Sequence, residues 1–114
     1  MKKVGELIFS DGKNRSRDAI VINEKGLVIS LKNMKRLISS YEGFENILGE
    51  IIMDIGLEVQ KMLGGTVIVN DGMIEVKNPS KRSFYRKFNR DFYFFSVVIN
   101  LDRRKRSVNE GYYP

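Results

Sequence analysis

A chain of 114 residues with twenty Lys and Arg against fourteen Asp and Glu carries a formal charge of +6 and has the length of one domain with one core. It contains neither cysteine nor histidine, which excludes disulfides, thiolate zinc sites, cysteine nucleophiles, the Ser-His-Asp triad and histidine acid–base catalysis. The charge is uneven: residues 42–61 hold five carboxylates and one lysine, a local −4 that leaves +10 on the rest, and such segregation points to a polyanionic partner.

In chain order, residues 4–9 (VGELIF) read as a short strand closed by the turn residues Ser10, Asp11 and Gly12. Glu6 and Asp11 interrupt the apolar run that a secretion signal needs, and nowhere do about eighteen apolar residues follow one another. The expectation is a soluble, cytoplasmic protein with no membrane partner. A basic loop with Lys13, Arg15 and Arg17 follows. Residues 19–23 and 27–31 are β-branched runs separated by Glu24, Lys25 and Gly26, where the glycine can supply the positive φ of a three-residue hairpin loop.

Ser30 is placed to cap a helix that starts near Lys32 and turns Met34, Leu37 and Ile38 inward; residues 40–43 interrupt it. Then comes the strongest pattern in the chain. In Phe44–Leu63 the apolar residues Phe44, Ile47, Leu48, Ile51, Ile52, Ile55, Val59, Met62 and Leu63 recur at three-and-four spacing, which predicts a long amphipathic helix. Gly64 and Gly65 end it, and Thr66–Asn70 and Met73–Lys77 flank Asp71-Gly72, the signature of a type I′ hairpin. Asn78-Pro79-Ser80 breaks the second strand. Residues 92–101 (FYFFSVVINL) read as a long strand apolar on both faces, and 102–114 as a basic, flexible tail after a single domain over 1–101. The elements add up to an α+β fold in which two β-hairpins and a long C-terminal strand form an antiparallel or mixed sheet, packed against a short helix and one long amphipathic helix.

The stretch that best carries function is residues 81–91, KRSFYRKFNRD. Lys81, Arg82, Arg86, Lys87 and Arg90 interleave with Tyr85 and Phe88, the mixture a nucleic-acid surface uses: cations for phosphates, and rings on which bases stack for roughly 1–3 kcal/mol each. Two further basic clusters, Lys13, Arg15 and Arg17 in the first loop and Arg103, Arg104, Lys105 and Arg106 in the tail, enlarge the footprint if they share a face with it. The first expectation is therefore a non-enzymatic nucleic-acid-binding protein with no cofactor, no catalytic residue and no metal ligand. The acidic stripe Glu50, Asp54 and Glu58 lies on the polar side of the long helix, which should face away from the nucleic acid.

Two resemblances suggest other classes. The run DGMIEVK resembles the acidic and lysine pattern of PD-(D/E)xK nucleases, which implies Asp71 and Glu75 as divalent-cation ligands, Lys77 as the group that orients the attacking water, and Glu45 or Glu50 as an extra ligand. The spacing is shorter than that family's. The helical pair over residues 31–64 is similar to V4R-type ligand-sensing domains, implying a small regulatory or protein-interaction module, ligand-sensing and homodimeric. Gly49 and Gly56, seven apart on the helix, would permit close packing by another element or a second subunit.

Overall fold

The computed structural model describes residues 2–70, 72–80, 92–100 and 105–113, the last two spans as backbone. Its elements are β1 (Lys2–Ser10), β2 (Arg15–Asn23), β3 (Gly26–Ser30), α1 (Lys32–Ile38), α2 (Phe44–Leu63), β4 (Thr66–Asn70), β5 (Met73–Lys77), β6 (Phe92–Asn100) and β7 (Lys105–Tyr113). The fold is α+β. β1 to β5 form an antiparallel sheet in the order β4-β5-β3-β2-β1; the backbone of β6 lies parallel to β1, and β7 is antiparallel to β6.

Strand alternation assigns the faces. Leu7, Phe9, Ile20, Leu27, Ile29, Ile74 and Val76 point inward and are fully or almost fully buried, and Met34 and Ile38 of α1 with Ile51, Ile55, Val59 and Leu63 of α2 close over them. Each such side chain contributes about 1.5–3 kcal/mol relative to exposure. α2 buries the stripe that its spacing predicts, with Ile47, Leu48, Ile52 and Met62 half-buried on its flanks. The other face of the sheet carries Glu6, Ile8, Arg15, Arg17, Ala19, Val21, Val28 and Glu75, and none of these side chains is fully buried.

Several local features differ from expectation. β2 begins at Arg15 rather than near Ala19, so Arg15 and Arg17 lie on a strand and only Lys13 remains in the turn. The β2–β3 connection has two residues: Asn23 pairs with Gly26, and Asn23 Oδ1 accepts from the backbone N–H groups of Lys25 (2.9 Å) and Gly26 (3.0 Å). This Asx-type turn makes the longer loop unnecessary. The β4–β5 hairpin forms in the expected register, with Asn70 opposite Met73. Asp71 lies outside the described residues, and the Gly72 N–H donates to the Asn70 carbonyl at 2.8 Å. The Gly72 carbonyl accepts from Leu31 N–H at 2.9 Å, which ties the hairpin to the start of α1. Of the two helical glycines, Gly56 is buried toward Val67 of β4, whereas Gly49 is exposed with open space beside it.

The cap of α1 is the largest departure. Ser30 Oγ accepts only from Lys32 N–H, at 3.3 Å. The principal acceptor is Asp18 of β2, 3% exposed, whose Oδ1 takes the Asn33 N–H and whose Oδ2 takes the Met34 N–H, both at 2.9 Å. A carboxylate from another element thus satisfies two of the donors a helix start leaves open and complements the positive end of its dipole.

Candidate nucleic-acid interface

Of the cations singled out in the sequence, Lys81, Arg82, Arg86, Lys87 and Arg90, with the rings of Tyr85 and Phe88, lie outside the described residues, as do Arg103 and Arg104. Lys105 and Arg106 are placed by backbone alone, opposite Asn100 and Ile99 in the β6–β7 ladder. Lys13, Arg15 and Arg17 are described in full, and all three are exposed. Arg15 and Arg17 alternate to the open face of the sheet because Asp18 and Ile20 point inward. Arg17 reaches Glu6 of β1 at 3.5 Å, and Lys3 reaches the same carboxylate at 4.0 Å.

The tertiary structure adds a group of cations that sequence inspection passes over. α1 packs on β2, and the Asn33 side-chain amide donates to the Arg17 carbonyl at 2.7 Å. Lys32 and Arg36, four residues apart on the outward side of α1, are exposed, and Lys35 is half-buried. The amphipathic pattern of α1 signals its buried side; nothing in it signals which strand the basic side will meet.

Apart from Glu6, the carboxylates beside these cations are engaged within the fold. Asp18 is buried beneath the start of α1 and also accepts from the Ser30 hydroxyl at 3.2 Å. Asp11 accepts from the Lys13 and Asn14 backbone N–H groups and from the Tyr41 hydroxyl. Partial burial pushes the Asp11 carboxyl up, but these hydrogen bonds outweigh it and hold the group below its usual range. Tyr41 is pushed well above the ordinary phenol value by burial and by the Asp11 carboxylate that accepts its proton. The pair ties the β1–β2 turn to the segment that follows α1, so Lys13 is carried on a braced turn and Arg15 on the strand it leads into.

No protein-family model matches this chain, and the searches of curated proteins and of solved structures also found no match. What the arrangement can do is therefore read from its own chemistry: exposed cations on either side of the first half of β2, with Lys13, Arg15 and Arg17 along the turn and open face and Lys32 and Arg36 on α1, while Asp11 and Asp18 are bonded internally and Glu6 pairs with Arg17.

The pH response of the Asp11–Tyr41 contact follows from its sign. A carboxylate held low in the folded state stabilises the fold above its ordinary pKa of 3.8 and loses that contribution as pH falls through the depressed value. Tyr41→Phe is expected to cost about 1 kcal/mol near neutrality, a hydrogen bond to a charged group discounted for solvent screening. The difference from wild type should shrink as pH falls below 3.8 and through the depressed value. Urea unfolding of both proteins at pH 7 and pH 3 measures it.

The nuclease-like residues are described only in part. Asp71 lies outside the described residues. Glu75 alternates to the open face between buried Ile74 and Val76 and meets Lys77 at 3.9 Å, beside a groove of about 260 Å³ that Asn23, Lys25 and Gly26 also line. Glu45 and Glu50 sit on α2, across the core from that face, which removes them as further ligands for Glu75. Among the described residues no three carboxylates group to hold a metal ion. Among the same residues no helix is long and apolar enough to cross a membrane.

Proposed function

We propose that this protein binds nucleic acid without catalysing a reaction, through phosphate contacts from the 81–91 stretch, the first basic segment and the cations of residues 103–106, with base stacking from Tyr85 or Phe88. The observation that favours this reading is the separation of charge in space. Arg15 and Arg17 stand on the open face with Lys13 at its end, while Glu50, Asp54 and Glu58 belong to the helix packed on the opposite face. A polyanion approaching the sheet from the first side meets these cations and two carboxylates, Glu6 and Glu75, each already paired with a cation, and is spared the acidic helix.

A mobility-shift or filter-binding titration against salt tests the proposal. Binding should weaken steeply between about 50 and 200 mM salt, by a factor on the order of 10³ or more if six or more phosphates are neutralised. Replacing Glu50, Asp54 and Glu58 by glutamine should leave affinity unchanged or raise it. Absence of binding at low salt, or binding indifferent to salt, would discard the reading.

A small regulatory or interaction module that works as a homodimer is the second reading, and one observation favours it. Met53 and Leu57, one turn apart on the outward side of α2, are 66% and 53% exposed, and Val69 on the edge strand β4 is 51% exposed. Two apolar side chains on a helix and an edge strand with unpaired backbone groups suit a second copy. Light scattering should then give twice the monomer mass, and Met53→Glu with Leu57→Glu should halve it.

A further inference from the structure

We infer that the corner formed by the β1–β2 turn, the start of β2 and α1 is a contact site for the phosphate backbone of duplex nucleic acid, with Lys32 and Arg36 of α1 as essential members beside Lys13, Arg15 and Arg17. The inference rests on the nucleic-acid reading above and deepens it, because neither α1 residue belongs to the basic clusters that motivate that reading. Four observations carry it.

The side chains are exposed and cationic, and residues 12–17 and 32–41 contain no acidic residue. Of the carboxylates beside them, Asp11 and Asp18 are tied by hydrogen bonds to Tyr41 and backbone N–H groups and to the start of α1, and Glu6 on the open face pairs with Arg17 and Lys3. Lys32 and Arg36 lie on one side of α1, about 6 Å apart along its axis, a span of about two phosphates on one strand of a duplex. Arg15 and Arg17 project from the open face of the sheet while α1 packs on β2 from the helix layer, its start held at residues 17 and 18, so the two groups lie on either side of the first half of β2 and would contact different strands of a duplex.

The corner is also preorganised. Asp18 fixes the start of α1, and the Asp11–Tyr41 contact fixes the turn to the segment that follows it, so little ordering accompanies binding. Among the described side chains of the corner no ring is fully exposed: Tyr41 is half-buried and Phe9 fully buried. Cations without an exposed ring beside them gain affinity from phosphate density. The duplex, with one charge per about 1.7 Å against about 3.4 Å for a single strand, is their better ligand.

The test is a salt titration with a 20-base-pair DNA duplex and its separated strand, using wild type, the Lys32→Ala/Arg36→Ala double variant, and Lys25→Ala at the far end of β2 as a control. Far-ultraviolet circular dichroism and urea unfolding confirm that all three fold alike. The double variant should bind the duplex on the order of tenfold or more weakly, with a salt slope shallower by about 2, and Lys25→Ala should match wild type. Equal duplex affinity for wild type and double variant overturns the inference and leaves the nucleic-acid reading standing. Absence of wild-type binding overturns both. Equal loss toward duplex and single strand overturns the assignment to duplex, and binding to phosphatidylserine vesicles in preference to the duplex overturns the assignment to nucleic acid.

Discussion

Gly26→Ala is expected to destabilise the fold by about 3–4 kcal/mol, among the largest effects of any single substitution that adds one methyl group. Gly26 opens β3 with φ near +152°, and a Cβ built there would lie 1.9 Å from the Val76 carbonyl oxygen of β5. That oxygen is backbone and held in the sheet: Gly26 pairs with Asn23 on one side and with Lys77 on the other, and Asn78 N–H donates to the Lys25 carbonyl at 3.3 Å. The clash cannot be relieved by turning a side chain, so the strand junction itself must shift. Gly12→Ala separates the two contributions. Gly12 also has positive φ, +92°, but nothing lies within 4 Å of an added Cβ, so only the conformational strain of about 1–2 kcal/mol remains. Urea midpoints of the two variants give the comparison; equal losses would show that the contact with β5 is not what requires glycine at position 26.

Asp18→Ala should cost about 2–4 kcal/mol. It removes a helix cap and leaves the N–H groups of Asn33 and Met34, together with the Ser30 hydroxyl, without the acceptor that the fold supplies. Met34 is fully buried, so water cannot replace the lost bond at its N–H. Asp18→Asn keeps one side-chain carbonyl oxygen and should cost about 1–2 kcal/mol. Hydrogen exchange at the Met34 amide is the sharper readout: it should accelerate in both variants, more in alanine. Exchange unchanged in Asp18→Ala would mean that α1 is held by its packing through Met34 and Ile38 alone. Because Asp18 positions α1, the substitution should also weaken any phosphate contact made through Lys32 and Arg36.

The long helix was readable from spacing alone. Nine apolar positions recur over Phe44–Leu63, and the helix occupies those bounds with Ile51, Ile55, Val59 and Leu63 buried. β4 and β5 were readable for a similar reason, since each is a β-branched run beside turn residues. β2 was not. Its first half, RSRD, carries charge at three of four positions, and local propensity reads it as loop; pairing with residues 7–10 of β1 is what extends it. The α1 cap was illegible for the same kind of reason. Ser30 stood where local capping rules look, whereas the effective carboxylate lies fifteen residues before the Asn33 N–H that it accepts.

The candidate interface divides along the same line. That Lys13, Arg15 and Arg17 form a basic cluster is visible in the chain, since they are neighbours in it. That Lys32 and Arg36 join them depends on α1 packing on β2, and that Asp11 and Asp18 do not cancel them depends on hydrogen bonds to Tyr41 and to Met34, thirty and sixteen residues away. Composition and periodicity by themselves determined the absence of cysteine and histidine chemistry, the net positive charge and the amphipathic α2, because these are sums or local repeats along the chain. The tertiary structure alone decided which strand α1 and its cations pack on and which carboxylates are bonded internally, because both depend on long-range contacts that no local pattern of residues encodes.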